Sequence, residues 1–451
     1  MNILLVAYYF PPDASSGSFR PLFFANHLTK MGDQVTILTS RKEDFLPDQP
    51  LDQDLAVRLD HHIKVVRSAV RRPDRYLVMM RDRLRLRSGT APASKPPVTN
   101  GMRVRLTRET KKFVAKLLTT PDYHVGWIAP CVRQGLAIIR ERRPDIIVAT
   151  GGPWSGMVAG RILKQLTKVP LVLDFRDPWL ANPGHVQRGR VFRWIDGRLE
   201  KGLLDSADML ICNTEEMKQD FLRRYPGLSP EWVVTITNGF EDYLPDLSPR
   251  RKRALTLTHA GALYFSRNPL PLLQAARNAI ERGGIDPMRI KLRFVGGITT
   301  ADPTIAEILV SRSLANVVEV IPRVTYQASL RAMIESDVLI LYQPGFPLQV
   351  PRKVYDYMAA RRPVLCIAEI GSATWSLVER YSIGTACEND AAQIEAVLLA
   401  MYGEWRRGHL EPIIDDRYEP FRNYSLTLRL RKHLEETIRT STIGQGRRLT
   451  I

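Results

Sequence analysis

A chain of 451 residues is too long for a single hydrophobic core, and its 44% hydrophobic and 25% charged content is ordinary for globular domains, so two domains are expected. Four scattered cysteines (Cys131, Cys212, Cys366, Cys387) with no C-x-x-C pair argue against a disulfide framework or zinc site and fit a reducing cytosol. The net charge of +18 leaves room for nucleic acid, an anionic membrane surface or anionic substrates, yet no nucleic-acid motif and no aromatic stacking set accompanies the basic residues. No apolar run approaches about 18 residues, which argues against a membrane-spanning helix. The chain enters a strand within three residues, so no signal peptide is expected.

Residues 2–9 (NILLVAYY) read as a buried parallel strand. A loop at 10–18, a helix at 19–30 ended by Gly32, and a strand at 35–39 complete a unit of the doubly wound type, without the G-x-G-x-x-G of a dinucleotide site. Gly17 is either a turn residue or a place where backbone faces a ligand crevice. Residues 64–118 form a basic insert in which seven arginines between Arg71 and Arg87 precede a Pro/Ser/Thr-rich stretch at 88–100. On a helix over 102–118, Leu106, Phe113, Val114, Leu117 and Leu118 share one face and Arg105, Arg108, Lys111, Lys112 and Lys116 the other. That pattern reads as an anchor on an anionic membrane surface or as a solvated helix packed on its own domain.

A helix at 131–142 leads into a strand at 145–150 and the loop Gly151-Gly152-Pro153-Trp154-Ser155-Gly156. The next strand runs LVLDF and ends in Asp174, Arg176 and Asp177. In open α/β sheets the carboxyl ends of strands face the ligand crevice, so these three charges either meet substrate or form an ion-pair network. A helix at 199–207, a strand at 208–214, a helix at 215–225 and the segment 233–240 close the first half, and 244–253 reads as a linker. The second half repeats the pattern, with strands at 255–260, 291–297, 317–322 and 337–342 and a helix at 326–335. Its loop 261–268 carries Gly261 and Arg267, the latter a diphosphate contact or a surface arginine. The stretch Val350-Pro351-Arg352-Lys353-Val354-Tyr355-Asp356-Tyr357-Met358-Ala359-Ala360 then places Lys353 and Asp356 at the start of a short helix, ahead of a buried strand at 364–368. A cation and a carboxylate within one turn suit a nucleotide-sugar, since helix N-termini attract anions, or form an ordinary surface pair. The small-residue loop 371–374 is expected to face the same cleft, a helix at 426–438 to lie past the second sheet, and 441–451 to be a disordered basic tail.

The P-x-K-x-x-D-Y-M-A-A-x-x-P-V segment resembles the donor-site signature of family-4 glycosyltransferases of the GT-B fold. The Y-Y-F-P-P start, D-F-R-D-P-W and the N-G-F segment are similar to the same family. Asp356 stands at the second Glu of its E-x7-E motif, while Leu348, Ala262 and Gly151 depart from its pattern. The resemblance implies two Rossmann-like doubly wound domains facing a cleft: an acceptor domain at 1–245, a donor domain at 246–424, and a return helix with basic tail at 425–451. It implies a retaining, metal-independent and cofactor-free transfer of a sugar from a nucleotide-diphosphate donor to a glycan or polyprenyl-linked acceptor, in surface polysaccharide synthesis. Arg267 and Lys353 would hold the diphosphate and Asp356 the ribose. The backbone at Gly17 and Gly261 would approach the donor, and Asp174, Arg176 and Asp177 would serve catalysis by orienting acceptor or sugar. The expected location is the cytoplasm, peripheral on the inner face of the membrane, with no nucleic-acid partner. A nucleotide-sugar 2-epimerase and a catalytically degenerate nucleotide-sugar- or glycan-binding protein remain open as alternatives, with a nucleic-acid binder the weakest.

Overall fold

The computed structural model describes residues 1–46, 49–71, 110, 113–183, 188–241, 253–263, 267–298, 302–410, 412–413 and 416–448. Most of the basic insert, the linker except Arg253, and three residues of the Gly261–Arg267 loop therefore lie outside the described residues.

Two parallel sheets form the scaffold. The first has seven strands in the order β3-β2-β1-β4-β5-β6-β7: β1 Asn2–Val6, β2 Gln34–Ser40, β3 Lys64–Ser68, β4 Ile146–Gly151, β5 Leu171–Phe175, β6 Met209–Cys212 and β7 Val233–Thr235. The second has six, in the order β10-β9-β8-β11-β12-β13: β8 Leu255–Ala260, β9 Ile290–Val295, β10 Val318–Ile321, β11 Val338–Tyr342, β12 Val364–Ile367 and β13 Gly384–Cys387. All pairings are parallel, which requires a crossover between successive strands; helices cover both faces of the central strands, explaining their near-continuous apolar runs.

The first half of the basic insert is corrected at one point: Lys64–Ser68 is not part of a separate basic element but the edge strand β3, paired with β2. An edge strand tolerates Lys64 and Arg67 because one of its sides stays near solvent. Arg67 donates to the carbonyls of Ser40 (2.9 Å) and Pro11 (2.6 Å), fixing the loop after β1.

The tail expectation is corrected as well. A single helix, Asn423–Arg448, continues through most of 441–451. Once nucleated, a helix gains one hydrogen bond per residue added, and no proline interrupts this stretch. Its Leu426, Leu430 and Leu434 are buried in the core cluster of the first sheet with Ile3, Leu5 and Phe10, and pack beside the helix Ser16–Lys30. Arg431 pairs with Asp33 at 2.8 Å, which also binds the N-terminal ammonium at 2.7 Å. The chain thus crosses from the second sheet back to the first.

Candidate active site

Strand order reverses between β1 and β4 in the first sheet and between β8 and β11 in the second. At the carboxyl ends of the strands, where such sheets bind ligands, Gly17 follows β1, Gly261 and Arg267 follow β8, Asp174, Arg176 and Asp177 stand at and just after the end of β5, and Lys353 and Asp356 lie on the helix Lys353–Ala360 after β11.

On the second domain, His259 lies fully buried near the end of β8. Its Nδ1 sits 3.0 Å from the carbonyl oxygen of Ile340, which can only accept, so Nδ1 carries the proton and Nε2 presents a lone pair. Lys353 Nζ donates to that lone pair at 3.1 Å. Burial and the Lys353 charge hold His259 well below the usual histidine range. Burial, with Arg267 and Arg352 adding to it and Asp356 opposing, pushes Lys353 down to about 7. Gly261 has φ +113°, in the region that favours glycine, and a side chain there would begin 2.9 Å from Lys353 Nζ. The backbone of Gly261 and the ammonium of Lys353 are therefore immediate neighbours.

Arg267 donates from Nη2 to Gln343 Oε1 at 2.8 Å and lies 5.2 Å from the centre of the Phe346 ring. Its charge acts on Lys353, on His259 and, from across the cleft, on Asp177. Asp177 follows β5, and burial raises its carboxyl above the usual range while Arg176 and Arg267 hold it back. Arg267, Lys353 and Gly261 thus stand together, with Asp177 within reach of the Arg267 charge.

The remaining two members of the D-F-R-D cluster are engaged elsewhere. Asp174 is buried, and both its oxygens accept from Arg20 (Nε at 3.2 and 3.0 Å, Nη2 at 2.8 Å), which also donates to the carbonyl of Ile236. The Arg176 guanidinium is buried and donates from Nε to the Gly151 carbonyl at 3.1 Å, and from its two Nη atoms to the carbonyls of Gly17 and Gly152. Both are positioning residues: they lock the loops after β1, β4 and β5 together. The alternative of an ion-pair network applies to Asp174, and Arg176 is a clamp on backbone. Gly17 is needed because a Cβ would strike this guanidinium and come within 2.8 Å of the Tyr9 ring. Tyr9 contacts His124 Nε2 at 3.2 Å, and burial with Asp13 and Asp122 nearby pushes its hydroxyl up to about 12.

Asp356, expected to meet the ribose, lies within a group at the junction of the two domains. It is 2% exposed; its Oδ1 accepts from Tyr326 (2.8 Å) and Arg352 Nη1 (3.1 Å), and its Oδ2 lies 3.0 Å from Arg352 Nη2 in an ion pair. Arg352 in turn lies 3.9 Å over the ring of Phe19, and Tyr326 packs edge-on to Phe19 at 4.9 Å, so this group joins the two domains. Leu348 also serves the junction: its carbonyl accepts from the Thr214 hydroxyl at 2.8 Å. The loop 371–374 braces the same segment, with Ala373 N–H on the Pro347 carbonyl and the Thr374 hydroxyl on that of Gln349.

His259, Gln343 and Arg20 were missed in the sequence. His259 left a signal, as a titratable residue closing the apolar run LTLTHA; nothing local marked the other two.

Residues 23–239 match the family model of the glycosyl transferase 4-like domain. No curated protein matches the chain by sequence. Among solved structures, a sucrose-phosphate synthase from Thermosynechococcus elongatus is similar over 98% of this chain and 100% of its own, with a TM-score of 0.60 at 15% identity. A glycosyltransferase from Rickettsia africae is similar over 97% and 98%, with a TM-score of 0.59 at 12% identity. A UDP-GlcNAc 2-epimerase from Methanocaldococcus jannaschii covers 97% of this chain and 100% of its own, with a TM-score of 0.53 at 10% identity. At such identities these likenesses speak for the fold, which is held over nearly the whole length, while the family model speaks for the first domain. Residues 23–239 thus carry a glycosyl transferase 4-like domain, within a chain that has the GT-B fold over nearly its whole length.

Proposed function

We propose that this glycosyltransferase moves a sugar from a nucleoside-diphosphate donor to a glycan or polyprenyl-linked acceptor, with retention of configuration and without a metal ion, in surface polysaccharide synthesis in the cytoplasm. The observation that carries the donor assignment is the placement of Arg267 and Lys353 beside Gly261 at the carboxyl end of β8. A nucleoside diphosphate gains negative charge as its bond to the sugar breaks, and two cations already fixed there lower that barrier. Lys353 opens its helix, whose first N–H groups add to the positive field. With Gly261 lacking a side chain, the diphosphate can approach backbone and ammonium together. Asp177, on the opposite wall, is the carboxylate best placed for the sugar or the acceptor hydroxyl. Retention and the polysaccharide role rest on the resemblance to family 4. Asp60, His61 and His62, a grouping close enough to share a metal ion, precede β3 and so lie at the opposite end of the strands from the crevice.

Thermal stabilisation by a panel of nucleoside diphosphates and nucleotide-sugars tests the donor site. One base should stabilise the protein, and Arg267→Ala and Lys353→Ala should each abolish that shift. In transfer assays with the donor so identified, Arg267→Ala is expected to lower kcat by about 10²–10³-fold, as loss of one transition-state contact does. An unchanged kcat removes Arg267 from the leaving-group role. Appearance of an epimeric sugar nucleotide without any acceptor would move the assignment to a 2-epimerase.

A further inference from the structure

The helix Arg190–Leu204 has an outer surface that the donor chemistry does not use. Its exposed positions include Val191 (56% exposed) and Trp194 (63%), and the cations Arg190, Arg193, Arg198 and Lys201. Both acids within its central turns face inward: Asp196 pairs with Arg188 at 2.9 Å, and Glu200 is fully buried against Arg224 and the Tyr225 hydroxyl. From 190 to 198 the exposed charge is therefore of one sign, while Lys201 pairs with the exposed Asp205 at 2.5 Å. A short helical stretch at 113–118 adjoins it, with Phe113 and Phe192 5.2 Å apart between ring centres and Lys116 donating to the Arg188 carbonyl at 3.3 Å. Phe113 and Leu117 on that stretch are 46% and 49% exposed.

We propose that this two-helix surface docks the enzyme on an anionic lipid bilayer. Leu117 and Val191 offer aliphatic groups that cannot stack on bases, which disfavours a nucleic acid as the occupant. A tryptophan among aliphatic side chains and ringed by arginines matches the headgroup boundary, where an indole sits with its apolar body inward and cations meet lipid phosphates. The same helix is tied to the cleft, since Glu200 accepts from the backbone of Leu180, three residues after Asp177, at 3.1 Å. A bilayer seated on this surface lies beside the acceptor-side loops.

The test needs no turnover, so it stands or falls independently of the donor assignment. Full-length protein is floated with vesicles of phosphatidylcholine alone or mixed with phosphatidylglycerol, at about 0.1 M salt. Binding is expected only to the mixed vesicles, and brominated lipids in them should quench part of the tryptophan emission. Val191→Ser with Trp194→Ser, and separately Arg193→Glu with Arg198→Glu, should each lower partition by about tenfold or more. The first pair should also lose the quenching, and the melting temperature should be unchanged in both because all four positions are exposed. Absence of binding by the wild type, or variants that partition like it, overturns the proposal. So does a surface whose variants lose only binding to a single-stranded RNA oligonucleotide.

Discussion

At Lys353, burial and the guanidiniums of Arg267 and Arg352 work against the ammonium, Asp356 favours it, and His259 offers only a neutral lone pair; the group titrates near about 7. Its folded value lies below its unfolded one, so between about 7 and the ordinary lysine range near 10.4 the unfolded chain binds more protons. Stability of the ligand-free protein should therefore rise with pH across that window as far as this group is concerned, and the whole unfavourable effect is present below 7. Lys353→Met is expected to remove that slope in urea titrations and to stabilise the ligand-free protein at neutral pH. Binding has the opposite sign. A nucleotide-sugar has no group of its own titrating near 7, so its affinity should fall as Lys353 loses its proton, by up to about tenfold per pH unit above 7. Calorimetry from pH 6 to 9 measures this fall together with proton uptake, and a flat profile would show that Lys353 does not touch the donor.

Elements were legible in proportion to their hydrophobicity. Runs such as NILLV, IIVATG, LVLDF and VLILY announce central strands because both faces of a parallel sheet are covered. Lys64–Ser68 and Gly384–Cys387 stand at sheet edges, carry little apolar surface, and left no comparable trace. In the site, the cations and glycines could be read because their position after a strand determines where they stand. What Asp174, Arg176 and Asp356 face could not, since the partner of Asp174 lies 154 residues away and that of Asp356 is a half-buried arginine at the domain junction. The Arg20–Asp174 pair couples the helix Ser16–Lys30 to β5, and removing one member strands the other charge. Asp174→Ala should destabilise by about 3–5 kcal/mol in denaturant unfolding, whereas Arg20→Met combined with Asp174→Leu should recover most of that loss. If the double substitution is no better than the single, charge burial is not the cause.

Across the whole molecule, specific contacts among the described residues join the two domains. Arg352 on Phe19, Thr214 on the Leu348 carbonyl, and the Phe240 amide on the Phe421 carbonyl hold them, while the helix Asn423–Arg448 crosses between them. Among the described residues no helix is long and apolar enough to cross a membrane. Leu426, Leu430 and Leu434 are each at most 1% exposed, and burying a leucine is worth about 1.5–3 kcal/mol. A chain stopped after residue 422 should therefore lose roughly 5–9 kcal/mol from its first domain, comparable with the whole stability of many domains. Circular dichroism and soluble yield of that truncation check this, and a cooperative melt near the full-length temperature would refute it.

The crossing helix also imposes an order on synthesis. β1 leaves the ribosome some four hundred residues ahead of the leucines that cover Ile3 and Leu5. At typical elongation of about 5–20 residues per second, that apolar groove waits roughly 20–80 s for its cover. During that interval the nascent first domain leaves Ile3 and Leu5 without the leucines that cover them in the finished fold. Synthesis of the crossing helix thus closes a fold that began with β1.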